Sequence, residues 1–160
     1  MRAPATLQKT SSTLLSDTAD AVQTDRPGQL RASGRAFAQI AQFHPELTAF
    51  RRDLHAHPEL GFEEVYTSSR VVHALKLCGV DEVHTGIGKT GVVAVIRGRQ
   101  TGRASTSGAK PMVALRADMD ALPMTEHNEF GWKSSKAGLM HGCGHDGHTT
   151  MLVGDRKSVV

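Results

Sequence analysis

The spacing of apolar residues changes once along this chain, and that change restricts it to folds that layer helices on a sheet. From Pro45 onward, Leu47, Phe50 and Leu54 recur at i, i+3 and i+7, the stripe of an amphipathic helix, with Arg51, Arg52 and Asp53 on other faces. Pro58 disfavours helical geometry at His57, so the helix is expected to end there. A second helix fits Glu63 to Leu77, with Glu63 and Glu64 suited to its positive N-terminal end. Val65, Val72 and Leu75 form its expected buried stripe, Val71 and Cys78 lie beside it, and Gly79 is placed to stop it. Then the period is lost. Val92-Val93-Ala94-Val95-Ile96 is a short β-branched run bounded by glycines and reads as a buried strand; Met112-Val113-Ala114-Leu115 reads as the next. Residues 98–110, rich in Gly, Ser, Thr and Arg, form the connection, and a third helix is expected from near Asp146. The class is α/β.

The second run leads directly into acidic residues. Asp118 and Asp120 stand at i and i+2 where the apolar segment ends, and in an extended chain both point the same way. Like charges so placed repel unless a cation or a shared proton offsets the cost. They serve either a metal centre or a plainer purpose, capping a turn or pairing with Arg116.

A second cluster lies in the next connection. Met140-His141-Gly142-Cys143-Gly144-His145-Asp146-Gly147-His148 brings histidines, a cysteine and a carboxylate into one short segment. In an extended chain His141, Cys143 and His145 alternate to one face, and the glycines keep the backbone slim. A thiolate with imidazoles suits a borderline-soft divalent ion such as zinc. The alternative is a polar loop whose histidines hydrogen-bond locally. With Asp118 and Asp120 close by in sequence, these residues favour a shared metal centre.

Composition narrows the classes. Of 160 residues, 39% are hydrophobic and only 4% aromatic, so a core must be aliphatic. The formal charge of +3 comes from scattered basic residues without stacking platforms, which argues against nucleic-acid binding. Two cysteines make no disulfide framework; Cys78 reads as a core thiol, and Cys143 must be reduced to bind metal, which suits a cytoplasmic setting. No window approaches the ~18 apolar residues of a membrane span, and residues 1–44 lack the apolar core of a secretory signal and read as a flexible extension. Gly86-Ile87-Gly88-Lys89-Thr90 imitates the end of a phosphate-binding loop, but Val83 stands where its first glycine belongs and a strand comes next where a helix should. It reads as a tight turn.

Taken together, Phe50-Arg51-Arg52-Asp53-Leu54-His55-Ala56-His57-Pro58-Glu59-Leu60-Gly61-Phe62-Glu63-Glu64, Thr85 to Gly88 with Gly91-Val92-Val93, Ala114 to Met124, and Met140 to Met151 resemble, in order and spacing, the M20 metallopeptidase superfamily. The nearest branch is that of hippurate hydrolases, N-acyl-amino-acid amidohydrolases and indole-acetyl-amino-acid hydrolases. The resemblance covers about residues 45–154. It implies a zinc-peptidase-like catalytic domain, a mixed sheet flanked by helices, with one or two divalent ions (zinc or manganese) at the sheet's carboxyl edge. It implies that Cys143 and His145 are metal ligands and that Asp120 supports the metal site and orients its chemistry. Asp118 lies where related peptidases carry a metal-binding histidine. His141, Asp146 and His148 share the motif and take hydrogen-bonding, capping or weaker ligand roles, while His57 is structural. The implied reaction is hydrolysis of the amide bond of a small N-acyl amino acid by a metal-activated water.

The resemblance also sets expectations about extent. Family members run more than twice as far, with a Glu-Glu pair, later histidine ligands and an inserted lid or dimerisation domain through which the full-length protein would form homo-oligomers. None of these is in this sequence, and residues 155–160 match nothing expected. The chain is therefore expected to be an incomplete catalytic domain, an N-terminal fragment without amidase activity. Two other classes compete: a non-catalytic zinc-binding module closed by Cys143, His145 and His148 or His141, and a cysteine hydrolase using Cys143 as nucleophile.

Overall fold

The computed structural model describes residues 27–98 and 112–158. In chain order these form α1 (Pro27–Ala56), α2 (Val65–Leu77), β1 (Glu82–Ile87), β2 (Gly91–Val95) and α3 (His145–Ser158). Helices pack beside a small antiparallel sheet, which is the helix-and-sheet class expected; among the described residues the sheet consists of the β1–β2 pair.

The first helix ends at Ala56, before Pro58, as the sequence predicts, but it starts at Pro27 and carries Pro45 inside it. Residues 27–44 are therefore helical rather than a loop-like extension. Alanine, glutamine and arginine make up half of that stretch, and these helix formers outweigh Gly28 and Gly34. The remainder of the expected extension, residues 1–26, lies outside the described residues. Of the predicted stripe, Leu54 is completely buried, and Leu47 lies so close to α3 that a Cβ on Gly154 would meet its Cδ1 at 2.8 Å. A side chain at 154 would force the Leu47 side chain to shift.

The second helix stops as predicted, at Cys78, with Gly79 at φ +67. Its buried face differs from expectation: Val71, Cys78 and Thr67 are buried, whereas Val65 is 72% exposed. The first turn is held by neither Glu63 nor Glu64. Glu59, itself buried, accepts from the N–H of Tyr66 (3.0 Å), the N–H of Thr67 (2.9 Å) and the Thr67 hydroxyl (3.0 Å). These are the orphan donors every helix start must satisfy, and the carboxylate comes from the connection preceding the helix.

β1 has no counterpart among the strands expected from the sequence. It pairs with β2 from Glu82↔Val95 to Ile87↔Gly91, with a register shift between Thr85 and Ile87. The phosphate-loop lookalike is the turn between them: Gly88 (φ +58) and Lys89 (φ +86) take left-handed conformations, the requirement of a hairpin turn. Gly91 is obligatory there, since a Cβ would sit 2.4 Å from the Ile87 carbonyl oxygen.

Residues 112–115 correct a second expectation. They lie in no ladder, and Met112 and Val113 are 90% and 85% exposed. Among the described residues the run pairs with neither open edge of the β1–β2 sheet. The connection expected at 98–110 falls almost wholly outside the described residues. α3 begins where a helix was expected and continues through Asp155 to Ser158. No helix among the described residues is long and apolar enough to cross a membrane.

Candidate functional site

The two predicted clusters are brought together by backbone pairing. Leu122 and Met140 exchange both hydrogen bonds of an antiparallel bridge (2.9 and 3.0 Å). The Ala121 N–H donates to the Glu59 carbonyl at 2.7 Å, tying the same segment to the connection that caps α2. The Thr149 hydroxyl donates to the Asp118 carbonyl at 3.0 Å. These bonds lay the acidic segment against the start of α3.

The glycines between the ligating residue types have separate tasks. Gly144 takes φ +83, turning the chain into α3, and a Cβ on Gly142 would meet the Met124 sulfur at 2.4 Å. The turn therefore presents Cys143 at the surface, its thiol in no disulfide, and His145 as the first residue of the helix.

Asp120 and His145 meet. His145 Nδ1 lies 2.9 Å from the Asp120 carboxylate and 3.0 Å from the Asp120 carbonyl. Both partners are acceptors, so Nδ1 carries the proton and donates. In the neutral ring this leaves the lone pair on Nε2, the tautomer that a carboxylate imposes on metal-ligating histidines. Asp118 is placed differently, its carboxylate pairing with Arg116. The two aspartates thus have separate partners.

Asp146 is almost fully buried. Its Oδ2 receives His55 Nδ1 (2.9 Å) and Arg51 Nε (3.2 Å). Burial pushes its carboxyl up, but the His55 bond, the Gly147 N–H and the charges of Arg51 and His141 outweigh this and hold it below its ordinary value. On the other side of His55, Nε2 lies 3.1 Å from Glu126 Oε1. Desolvation pushes Glu126 up as well, and bonds from the Ser134 N–H, Asn128 and His55 bring it down overall. No motif in the sequence marks His55, Arg51 or Glu126 as parts of this network. Arg51 and His55 stand one turn apart on α1, a spacing visible in sequence, but nothing local shows that both face a residue in α3.

His141 is buried with both ring nitrogens unpartnered, and Asp146 Oδ1 is the other unpartnered buried side-chain atom among the described residues. Burial above all, with His55 and His145 nearby, holds the His141 ring below its ordinary value against the opposing pull of Asp146. His148 is exposed, with its ring centroid 5.6 Å from that of His145. His57 is structural as expected: Nδ1 donates to the Asp53 carbonyl at 2.7 Å and the ring lies on Tyr66. Among the described residues no three His, Cys, Asp or Glu converge closely enough to hold a metal ion. The expected meeting of His141, Cys143 and His145 at one point is not formed, nor is the closed site of the zinc-module alternative, because the turn at 142–143 and the left-handed Gly144 replace the extended alternation on which they depended.

Residues 114–155, the segment that builds this site, match the profile of Peptidase family M20/M25/M40. The chain is 47% identical over 118 residues to an N-acyl-L-amino acid amidohydrolase of Geobacillus stearothermophilus, covering 74% of this chain and 30% of that protein. It is 43% identical over 115 residues to the hippurate hydrolase of Campylobacter jejuni, covering 72% of this chain and 28% of the relative. Among solved structures it resembles the Bacillus subtilis YXEP protein, described as a dinuclear metal-binding peptidase of the M20 family. The TM-score is 0.60 at 40% identity, covering 74% of this chain and 32% of that one. The chain thus spans less than a third of these relatives' lengths. The fold and the motif-bearing turn agree: residues 114–155 carry the Peptidase family M20/M25/M40 match, and the chain is similar to relatives named as amidohydrolases and peptidases.

Proposed function

We propose that this chain supplies the Cys143–His145 side of a divalent-metal centre in an amidohydrolase acting on N-acyl amino acids. The observation that carries this reading is the His145–Asp120 hydrogen bond of 2.9 Å, which turns Nε2 into the free donor. Cys143, two residues earlier and exposed, offers the second donor. A thiolate with an imidazole favours zinc over magnesium or calcium; manganese is the second candidate only through the family resemblance. A divalent ion held there would polarise the amide carbonyl and lower the pKa of a water towards ~7.

The protein's own contribution is positional. Asp120 fixes the ring plane and tautomer of His145 and balances charge behind it. Gly144 sets the angle between the two donors. Asp118 is engaged with Arg116 and stays outside the donor set. Two protein donors leave coordination positions open, which suits catalysis better than a closed structural site. The names of the relatives support an N-acyl amino acid, hippurate among them, as the substrate. A thiolate ligand requires reduced Cys143, which supports a cytoplasmic setting.

Of the carboxylates next to His145, Asp120 is engaged by the His145 ring and Asp146 by His55 and Arg51, so neither is free to act as general base, and the 160-residue chain by itself should release no glycine from hippurate with zinc or manganese present. The reading is tested by titrating the chain with cobalt(II). It requires a thiolate-to-metal absorption band that disappears in Cys143→Ser and weakens in His145→Gln. A chain that binds no cobalt, or whose spectrum ignores Cys143→Ser, overturns it.

A further inference from the structure

The segment after Asp120 returns to α1 and is fastened there at several points. Ser135 donates to the Ala56 carbonyl through both its N–H (2.9 Å) and its hydroxyl (2.6 Å). Glu126 Oε2 accepts the Ser134 N–H at 2.6 Å. Phe130 and Trp132 stack with centroids 3.6 Å apart, and both present faces or edges to the His55 ring, at 5.9 and 5.1 Å. Arg52 covers Trp132 at 5.3 Å. Residues 126–135 thus form a strap across the end of α1.

His55 lies at the centre of these contacts. Its side chain is 6% exposed, between Glu126 at 3% and Asp146 at 0%. Each ring nitrogen faces a carboxylate oxygen, and the half-exposed Arg51 adds a second contact to Asp146. No hydrogen bond or ion pair joins Glu126 to Asp146; His55 connects them. Asp146 is in turn the neighbour of His145 in the first turn of α3.

We infer that His55 is a positioning residue that couples the 126–135 strap to the start of α3, and through it to the ring of His145. This deepens the proposed function and rests on it for the metal side. The strap's packing fixes Glu126, Glu126 fixes His55, and His55 holds the α3 end at which His145 meets Asp120. A packed strap therefore keeps the two donors at a constant separation. A loosened strap lets α3 rotate its first turn and widens the donor geometry.

Trp132 is the one tryptophan in the sequence, so its emission reports the strap alone. The test uses the full chain with Asp146→Asn, Glu126→Gln and His55→Gln. Asp146→Asn is far from the indole in the bonding network, yet it should shift Trp132 emission to the red and increase acrylamide quenching. Glu126→Gln touches neither donor, yet it should weaken cobalt binding about 10- to 100-fold, as loss of supporting hydrogen bonds does elsewhere. His55→Gln should do both. The first two are isosteric and decide the matter if His55→Gln loses its helical circular dichroism. Asp146→Asn leaving emission and quenching at parental values overturns the coupling. Glu126→Gln leaving cobalt affinity unchanged overturns its extension to the donors. If the parent chain binds no cobalt, the metal reading fails, while the Trp132 response to Asp146→Asn still decides whether His55 links the strap to α3.

Discussion

His145 Nδ1 donates to Asp120 Oδ1 at 2.9 Å, across a separation in sequence that the Leu122–Met140 bridge closes. The bond selects the ring tautomer, so substitution at 120 should act on metal binding before it acts on folding. Asp120→Asn removes the charge and can present the wrong amide atom to Nδ1. Cobalt or zinc affinity should fall about 10- to 100-fold, with the urea midpoint close to the parental value because Asp120 is partly exposed. Metal titration alongside urea unfolding checks both halves.

Glu59 tests the fold independently of the site. It is buried and accepts bonds from both Tyr66 and Thr67. Glu59→Ala strands these donors at the first turn of α2 and should cost about 2 kcal/mol. Urea unfolding monitored by circular dichroism reads the loss.

Glycine substitutions should separate by what a Cβ would strike. At Gly91 it meets the Ile87 carbonyl oxygen at 2.4 Å, a backbone atom that moves only if the hairpin opens. At Gly98 nothing lies within 4 Å. Gly91→Ala should therefore destabilise by about 1–3 kcal/mol, and Gly98→Ala should be nearly silent in the same unfolding assay.

Acid should weaken the fold in two stages. The folded-state value of His141 is lowered from 6.5, that of Glu126 from 4.5 and that of Asp146 from 3.8. Each group therefore binds protons more readily in the unfolded chain. Its stabilisation is complete above the ordinary value and is lost as pH falls through the lower folded one. Unfolding free energy should decline first below 6.5 through His141, then again through the two carboxylates. His141→Gln should remove the first stage and leave the second, measured by urea unfolding across a pH series.

The sequence is most legible where the physics is local. The end of α1 before Pro58, the stop of α2 at Gly79, the turn at 86–90 and the start of α3 each depend on one or two residues acting on their own backbone. The phosphate-loop lookalike belongs with these: a strand, β2, comes directly after it, which rules out the phosphate loop and makes it a hairpin turn. The misses depended on distant partners. Val65 fits the α2 stripe but is exposed because the buried face is set by Thr67, Val71 and Cys78. Residues 112–115 have strand composition, yet a strand needs a neighbouring backbone, and composition says nothing about whether one pairs with it. Of the proposed site, residue type and spacing offer the Asp118/Asp120 and His141–His148 clusters as candidates, and the family resemblance narrows them to Asp120, Cys143 and His145. Glu59, Arg51, His55 and Glu126 were not legible, because each acts on a carboxylate, ring or backbone group outside its own periodic pattern.

X-ray absorption of the zinc-loaded chain tests the central claim most directly. The account predicts a shell with one sulfur at about 2.3 Å and one imidazole nitrogen at about 2.0–2.1 Å, completed by water oxygens. A shell without sulfur, or one of four protein ligands without water, would contradict it.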